Sequence, residues 1–331
     1  MESLNTPELQ RLALVIGAIV AINYKNAYGI IPGGVIIPGV LIVSFLISPI
    51  WCFTTIALSF FIYWLYSRFF KKADYKRRTP MYVLSALSLG IAHSLSLAYS
   101  ELGFMTPTLD SFSGALVPAI IAFTWTRQKM ELVFRAIILT TLISAAILGM
   151  IYVIGTNALG LEFDTIADMI RGKNTLGLRY PLFQFYVMVG VGYWIYRRIN
   201  IRSGGYIIAP AAAALLVNPV SAVLFLMGCI AVYFATKAIC DASLIVGLNR
   251  YALALCLSTI FVWGVELVFL QLDSTILPFQ GSSVLVIIAM LSFVNDSILY
   301  GHKNVYRYIG VMLLIAIALA FVSEAMARIV I

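Results

Sequence analysis

Few residues of this sequence have side chains that could carry out chemistry, and those few lie far apart. Of the two histidines, His93 and His302, neither is accompanied by a Gly-x-Ser-x-Gly nucleophile motif. Histidines without paired cysteines or carboxylates argue against a metal site. Gly172-Lys173 precedes Asn174 and lacks the upstream glycine of a phosphate-binding loop, which excludes ATP hydrolysis by this chain. We therefore predict no catalytic residue, no metal and no cofactor.

Glu266 and His93 lie deep inside apolar segments, where burying a polar group in lipid is costly. Glu266 lies between Val265 and Leu267. It could bind a cation, relay a proton or pair with a basic residue of another segment. The sequence favours function and structural pairing equally for Glu266. His93 lies among serines and is expected to satisfy hydrogen bonds inside a helix bundle.

The most specific signal is a cluster of prolines and glycines inside one apolar run. The cluster consists of Pro32, Gly33, Gly34, Pro38 and Gly39. Each proline frees a backbone carbonyl, and each glycine allows another backbone to approach closely. In a membrane, such irregular backbone is tolerated only against protein or beside a water-filled cavity. We interpret the cluster as the lining of a substrate path; close packing of helices by small residues is the alternative.

The composition identifies the kind of protein that must position these residues. Of 331 residues, 62% are apolar and 11% are charged, whereas an ordinary soluble domain has about 25% charged residues. This composition excludes a soluble enzyme, a nucleic-acid-binding module and a disordered protein. The net charge of +8 comes mainly from short loops between apolar runs, as in the cytoplasmic loops of membrane proteins. The predicted fold class is an all-α polytopic membrane protein surrounded by lipid.

Twelve apolar segments are separated by charges and turn residues. A helix needs about 20 residues to cross a bilayer, and several segments fall short of that length and could be thin, extended or re-entrant. Most of the 22 basic residues fall in inside loops if every segment crosses and the N-terminus is outside. We predict twelve crossings with both termini outside. The short segments are 9–24, 113–126, 181–196, 206–218 and 282–294.

The order of segments repeats, which predicts an old duplication. Each half has a glycine pair, Gly33-Gly34 or Gly204-Gly205, followed by a proline-initiated segment at Pro49 or Pro219. Short runs that begin with glycine and long apolar helices close both halves. With about six segments each, the halves should be parallel repeats about an axis along the membrane normal. The predicted domains are repeat 1 at 8–155, an external linker with a short interfacial helix at 156–180, and a diverged repeat 2 at 181–331.

Two stretches of the first half resemble signatures of the CapC/PgsC proteins of poly-γ-glutamate synthesis. The first stretch, Gly29 to Gly39, reads GIIPGGVIIPG. The second stretch, Gly114 to Gln128, reads GALVPAIIAFTWTRQ. Its glycine, its Val-Pro at Pro118 and its Arg-Gln form the signature.

The resemblance covers residues 8–155, about the full size of a single-unit family member. The second half would be a diverged copy of that unit. It has Val286-Ile287 in place of the Val-Pro and Val294-Asn295 in place of the Arg-Gln. Whether the second half shares the activity stays open on this evidence.

The resemblance implies an integral membrane subunit of a machine that polymerises an amino acid through amide bonds and exports the product. In that family a separate ATP-dependent amide ligase supplies the chemistry, and a further membrane-anchored subunit acts in export. The chain would be a non-catalytic scaffold and polymer conduit in the bacterial cytoplasmic membrane. The resemblance does not identify the amino acid.

The mouth of such a conduit would attract an anionic polymer through clustered basic residues. Arg127, Gln128 and Lys129 follow directly after the Pro118 segment and are the best candidates for the mouth. The predicted path and signature residues are Gly33, Gly34, Pro38, Gly39, Gly114, Pro118, Arg127 and Gln128. The weaker candidates are Lys129, Arg135, His93 and Glu266.

Two other functions fit the same sequence. A stand-alone secondary transporter for a small organic anion also has twelve crossings in two parallel halves. A membrane-embedded transferase would need a catalytic base, for which only His93 or Glu266 is available. A gene for an amide ligase beside the gene for this chain would favour the conduit over both alternatives.

Overall fold

The computed structural model describes eight stretches of the chain. Within them, every regular element is an α-helix, and there are twelve helices. The helices form two compact units, Met1–Gly172 and Lys173–Ile331. Most of the predicted linker, 156–180, lies outside the described residues, as does its predicted interfacial helix. The described stretches are 7–70, 79–101, 116–158, 181–201, 204–215, 219–272, 278–279 and 283–329.

Each unit contains six of these helices. Those of the first unit are α1 (Pro7–Tyr28), α2 (Ile37–Ile47), α3 (Pro49–Phe69), α4 (Thr79–Glu101), α5 (Val117–Trp125) and α6 (Met130–Ala158). Those of the second unit are α7 (Pro181–Ile199), α8 (Gly205–Leu215), α9 (Pro219–Ser243), α10 (Leu248–Gln271), α11 (Ser283–Tyr300) and α12 (His302–Ile329).

The same helix pairs pack together in both units. In the first unit, α2 contacts α1, α3, α5 and α6, while α6 also contacts α1 and α5. Helices α3, α4 and α5 pack against one another. In the second unit, α8 contacts α7, α9, α11 and α12, α12 also contacts α7 and α11, and α9, α10 and α11 pack against one another. The short second helix is therefore central in each unit, and the shared arrangement supports a duplicated fold.

Four helices of the described residues are long and apolar enough to cross a membrane: α3, α6, α9 and α10. The chain is a helical membrane protein, but twelve crossings are not supported. Helices α2 and α8 have 11 residues each, and α5 has 9. At a rise of 1.5 Å per residue, they span about 14 to 17 Å of a hydrocarbon core about 30 Å thick. These three segments are too short as helices to cross on their own.

The central helix α2 begins beside the middle of α1. Gly17, midway along α1, lies against Gly39 in the first turn of α2. A Cβ atom on Gly39 would lie 2.6 Å from the Ala13 carbonyl oxygen and 2.7 Å from the Leu14 Cα, so the two backbones touch. The chain must therefore return from the end of α1 to the middle of the unit before α2 starts. It makes this return without a regular helix, over residues 29–36.

The first unit has one basic end. The ends of α3 and α5 meet the start of α4 there, because Tyr66, Pro80 and Arg127 line one cavity. The segment after α1 reaches the same end, where the Ile31 amide donates to Gln128. The start of α1 lies at the opposite end. We call the cationic side chains gathered here the basic end: Lys25, Arg68, Arg127, Lys129 and Arg135.

The contact between α1 and α2 predicts a strong effect of Gly39→Ala. The added methyl group overlaps the α1 backbone, which cannot move aside as a flexible side chain could. We expect the free energy of unfolding to fall by about 1 to 3 kcal/mol, the usual cost of overpacking. The measurement is the thermal unfolding midpoint of the purified protein in detergent.

Gly149→Ala on α6 is the matched control, because a Cβ atom there meets nothing within 4 Å. Alanine favours the helix at such a site by about 0.5 to 1 kcal/mol, so the midpoint should stay or rise. Equal effects of the two substitutions would contradict the backbone contact.

Candidate functional site

The segment between α1 and α2, which we call the glycine loop (Gly29–Ile36), depends on glycine for its shape. Gly29, Gly33 and Gly34 have φ angles of 71°, 70° and 148°, in the region that side chains other than glycine rarely adopt. The Gly33 amide donates to the Ile31 carbonyl at 2.8 Å and closes a tight turn. The loop therefore makes few hydrogen bonds of its own and relies on its surroundings.

The surroundings of the loop are α5 and α6. A Cβ atom on Gly33 would lie 3.0 Å from the Ile137 side chain of α6, and one on Gly34 would lie 3.2 Å from the Ile120 side chain of α5. Both positions thus require glycine by conformation, and a side chain there would also crowd Ile137 or Ile120. The predicted cluster is an irregular backbone buried against protein, as membrane depth demands.

Two side chains near the end of α5 hold the glycine loop by hydrogen bonds. The Thr124 hydroxyl donates to the Gly33 carbonyl at 2.7 Å. The Ile31 amide donates to the Gln128 side-chain oxygen at 3.2 Å. The two stretches that carry the sequence signatures, although far apart in the chain, therefore meet at one place. Sequence reasoning predicted Gln128 but missed Thr124, since a threonine in an apolar helix commonly bonds to its own backbone.

A cavity of about 520 Å³ lies beside this junction, at the basic end of the first unit. Its size is within the range of small-molecule binding sites. Three helices supply its walls, so its shape depends on how α3, α4 and α5 converge. We call it the Arg127 cleft, and its lining residues are Tyr63, Tyr66, Ser67, Pro80, Phe123, Thr126 and Arg127.

Arg127 is held on an aromatic platform in this cleft. Its guanidinium carbon lies 4.2 Å from the centroid of the Phe123 ring, which is close enough for a cation–π interaction. The neighbouring Trp125 ring packs against Phe60 at 4.6 Å and Tyr63 at 5.6 Å between centroids, which fixes α5 against α3. The cation is thus exposed but positioned by a rigid wall.

The cleft combines groups that bind anions. A guanidinium offers paired N–H donors that match a carboxylate, and tyrosine, serine and threonine hydroxyls can donate alongside it. Its lining holds one cation, Arg127, together with aromatic rings and hydroxyls. The arrangement suits recognition of a carboxylate.

The other basic candidates contribute differently. Arg135 forms an ion pair with Glu131 at 2.6 Å, one helical turn earlier on α6. Its charge is therefore balanced, and it adds less to the mouth than predicted. The spacing of four residues could have shown this pair in the sequence. Lys129 is exposed just before α6, and its carbonyl accepts from the Val133 amide in the first turn.

The remaining predicted residues have mostly structural positions or lie elsewhere. Pro38 and Pro118 occupy the first turns of α2 and α5, where proline favours helix initiation. Gly39 lies in the contact with α1, which favours the helix-packing interpretation for that residue. Glu266 is buried in α10 of the second unit. Gly114 and the side chain of His93 lie outside the described residues.

The second unit also uses a side chain of its fifth helix to hold its glycine pair. Asp296 of α11 is 2% exposed. Its Oδ2 atom accepts from the Gly204 amide at 2.7 Å and from the Tyr308 hydroxyl at 3.0 Å. Sequence reasoning missed Asp296, although an acid directly after Asn295, the counterpart of Gln128, was a signal that aligning the repeats could have provided.

The comparison with known families agrees with the two units. The model of the family described as capsule biosynthesis CapC matches residues 16–134 and 187–293. This chain belongs to the capsule biosynthesis CapC family. The predicted family and its tandem arrangement are confirmed, and the CapC family supports a role in the synthesis of a capsule or polymer. No similar curated protein and no similar solved structure was found.

The first CapC match includes the glycine loop, the residues that hold it and all residues of the Arg127 cleft. The second match begins within α7 and ends within α11, three residues before Asp296. The junction of the first unit therefore lies inside the stretch that matches the family, whereas Asp296 lies beyond the second match.

The hydrogen bond between Thr124 and the glycine loop predicts a loss of stability in Thr124→Val. The substitution keeps the shape of the side chain but leaves the Gly33 carbonyl without its donor. An unsatisfied buried acceptor costs about 1 to 3 kcal/mol. Thermal unfolding of the purified protein should show a clearly lower midpoint.

Thr156→Val on α6 is the control, because the Thr156 hydroxyl bonds only within its own helix, to the Tyr152 and Val153 carbonyls. We expect the free energy of unfolding of Thr156→Val to stay within about 0.5 kcal/mol of that of the parent protein. A Thr124→Val midpoint as high as that of Thr156→Val would show that the bond to Gly33 does not hold the loop.

Proposed function

We propose that this CapC protein is the membrane subunit of an ATP-dependent machine that makes and exports an anionic poly-amino acid of the poly-γ-glutamate type. The Arg127 cleft receives the carboxylates of the polymer at the cytoplasmic mouth of a conduit. The observation that carries the proposal is the Arg127 guanidinium, stacked 4.2 Å from Phe123 in a cavity lined by tyrosines. That cation belongs to the stretch that matches the family.

The chemistry of the cleft fits a polymer that carries one carboxylate per residue. Arginine keeps its charge at any physiological pH, and its planar fork can bind a carboxylate through two parallel hydrogen bonds. The exposed position of Arg127 at the mouth allows the next carboxylate to replace the previous one. Hydroxyls of Tyr63 and Tyr66 add donors along the wall without adding charge.

The orientation that we propose places the basic end in the cytoplasm, as the positive-inside rule favours. The start of α1 lies at the opposite end of the first unit, which supports an N-terminus outside the cell. In the bacterial cytoplasmic membrane, this orientation turns the Arg127 cleft toward the compartment that holds ATP. A polymer made there would enter the first unit at its cationic face.

The proposed partners divide the work. An ATP-dependent amide ligase forms the amide bonds at the cytoplasmic face and delivers the growing chain to the cleft. A further membrane-anchored subunit acts in export on the other side. The CapC protein is then a scaffold and conduit without catalytic activity of its own. A stand-alone transporter for a small organic anion is the second candidate, since a cavity of about 520 Å³ also accommodates a small ligand.

Substitution of Arg127 by lysine separates polymer recognition from ordinary membrane anchoring. Lysine keeps the positive charge but loses the fork and much of the stacking on Phe123. If about 1.4 kcal/mol of carboxylate binding is lost, polymer output should fall about tenfold while the amount of inserted protein stays the same. The measurement is the surface polymer per membrane-inserted chain in producing cells.

Arg135→Lys is the matched control, because Arg135 is exposed at the same end and already paired with Glu131. Polymer output should stay at the parent level in this variant. Parent-level output from Arg127→Lys as well would mean that Arg127 only anchors the protein at the membrane surface.

The division of labour predicts the behaviour of the purified chain. By itself it should neither hydrolyse ATP nor form amide bonds, and it should co-purify with the soluble ligase from producing cells. Reconstitution in liposomes distinguishes the second candidate. Rapid uptake of free glutamate or a similar small anion, with no ligase present, would favour the transporter over the conduit.

A further inference from the structure

The two units differ in chemistry at the place where the first one forms the Arg127 cleft. The counterparts of Arg127 and Gln128 in the second unit are Val294 and Asn295. Val294 is fully buried, so the second unit has an apolar core residue where the first has an exposed cation. The attraction for anions that Arg127 provides has no equivalent at this position.

The wall of the cleft differs as well. Counted from the prolines that begin α3 and α9, the counterparts of Tyr63 and Tyr66 are Tyr233 and Thr236. Both are buried, and the Tyr233 ring packs against His302, with 6.4 Å between centroids. Tyr66 is buried as well, so the difference lies at the Tyr63 position, which is half-buried in the first unit and covered in the second.

A carboxylate fills the space beside the second glycine pair. The Asp296 Oδ2 atom accepts two hydrogen bonds, from the Gly204 amide at 2.7 Å and from the Tyr308 hydroxyl at 3.0 Å. A Cβ atom on Gly204 would lie 2.8 Å from the same oxygen, so the packing there is tight. The Asp296 side chain therefore occupies the position beside the second glycine pair and leaves no room for a ligand there.

We infer that the anion site of this protein is confined to the first repeat, and that the Asp296 side chain fills the corresponding place in the second repeat. This inference rests on the proposed function and states which half of the chain performs it. The second repeat keeps the fold and the tie between its fifth helix and its glycine pair, but the acceptor is the Asp296 carboxyl group where the first repeat uses the Gln128 amide. The second family match ends at residue 293, before Asp296. The first match continues past Arg127 to residue 134.

The test is the number of binding sites on the purified full-length protein. The probe is a fluorescent γ-linked glutamate oligomer, and the matching γ-linked glutamine oligomer controls for charge. We expect one oligomer per chain at saturation. Arg127→Gln should weaken binding about tenfold or more, as loss of a charged bidentate contact does. Asp296→Asn keeps an acceptor of the same shape. The affinity of this variant for the oligomer should stay within about twofold of the parent value, which corresponds to about 0.4 kcal/mol of binding free energy.

A photo-crosslinking measurement locates the site without changing Asp296. The photoreactive amino acid p-benzoylphenylalanine replaces either Tyr63 in the first repeat or Tyr233, its counterpart in the second. Both replacements keep an aromatic ring at the position and add the same benzoyl group to it. The glutamate oligomer should crosslink at position 63 and remain at the background of the glutamine oligomer at position 233.

Each result has a distinct meaning. Two oligomers per chain, equal crosslinking at positions 63 and 233, or loss of binding in Asp296→Asn would overturn the inference while leaving the proposed function in place. If the glutamate oligomer does not bind the parent protein at the polymer concentrations of producing cells, the proposed function and the inference are overturned together. One site that depends on Arg127 and crosslinks only at position 63 supports both.

Discussion

The first unit depends on one requirement: a backbone that leaves the helical conformation inside the protein must receive its hydrogen bonds from other parts of the chain. The glycine loop leaves the helical conformation between α1 and the start of α2, at a depth where lipid offers no hydrogen-bond partner. Thr124 and Gln128 supply those bonds, and they can do so only if the end of α5 lies against the loop. This contact brings Arg127, one residue before Gln128, to the mouth of the unit. The position of the cation therefore follows from the need to satisfy the loop.

Both repeats meet this requirement with a side-chain acceptor from the fifth helix or its end, but the acceptors differ. Gln128 is an amide that accepts from the Ile31 amide, whereas the Asp296 side chain accepts from both the Gly204 amide and the Tyr308 hydroxyl. The acceptor in the second unit therefore joins the glycine pair to α12 as well as to α11, which is a more extensive tie than the one in the first unit.

Much of the fold and the site could be predicted from the sequence, and the exceptions have physical causes. Composition and repeat order identified a helical membrane protein in two similar halves, and the signature stretches identified the family. The length of α2 could not be predicted, because the run 30–47 is apolar throughout and hydropathy does not record where φ turns positive at Gly33 and Gly34. Asp296 was missed because the predicted apolar segment ended at 294, whereas the helix continues to Tyr300 and carries this acid into the protein interior.

The distribution of charge in the first unit also bears on how the proposed conduit would release its polymer. Passage requires binding that is favourable enough for entry and weak enough for exit. Arg127 provides attraction at the mouth, and its exposure to water keeps that attraction moderate. Deeper in the unit, the side chains at the glycine loop are Thr124, Gln128, Ile120 and Ile137, all uncharged. A buried cation there would trap a carboxylate. A neutral, hydrogen-bonded loop behind the exposed Arg127 avoids that outcome.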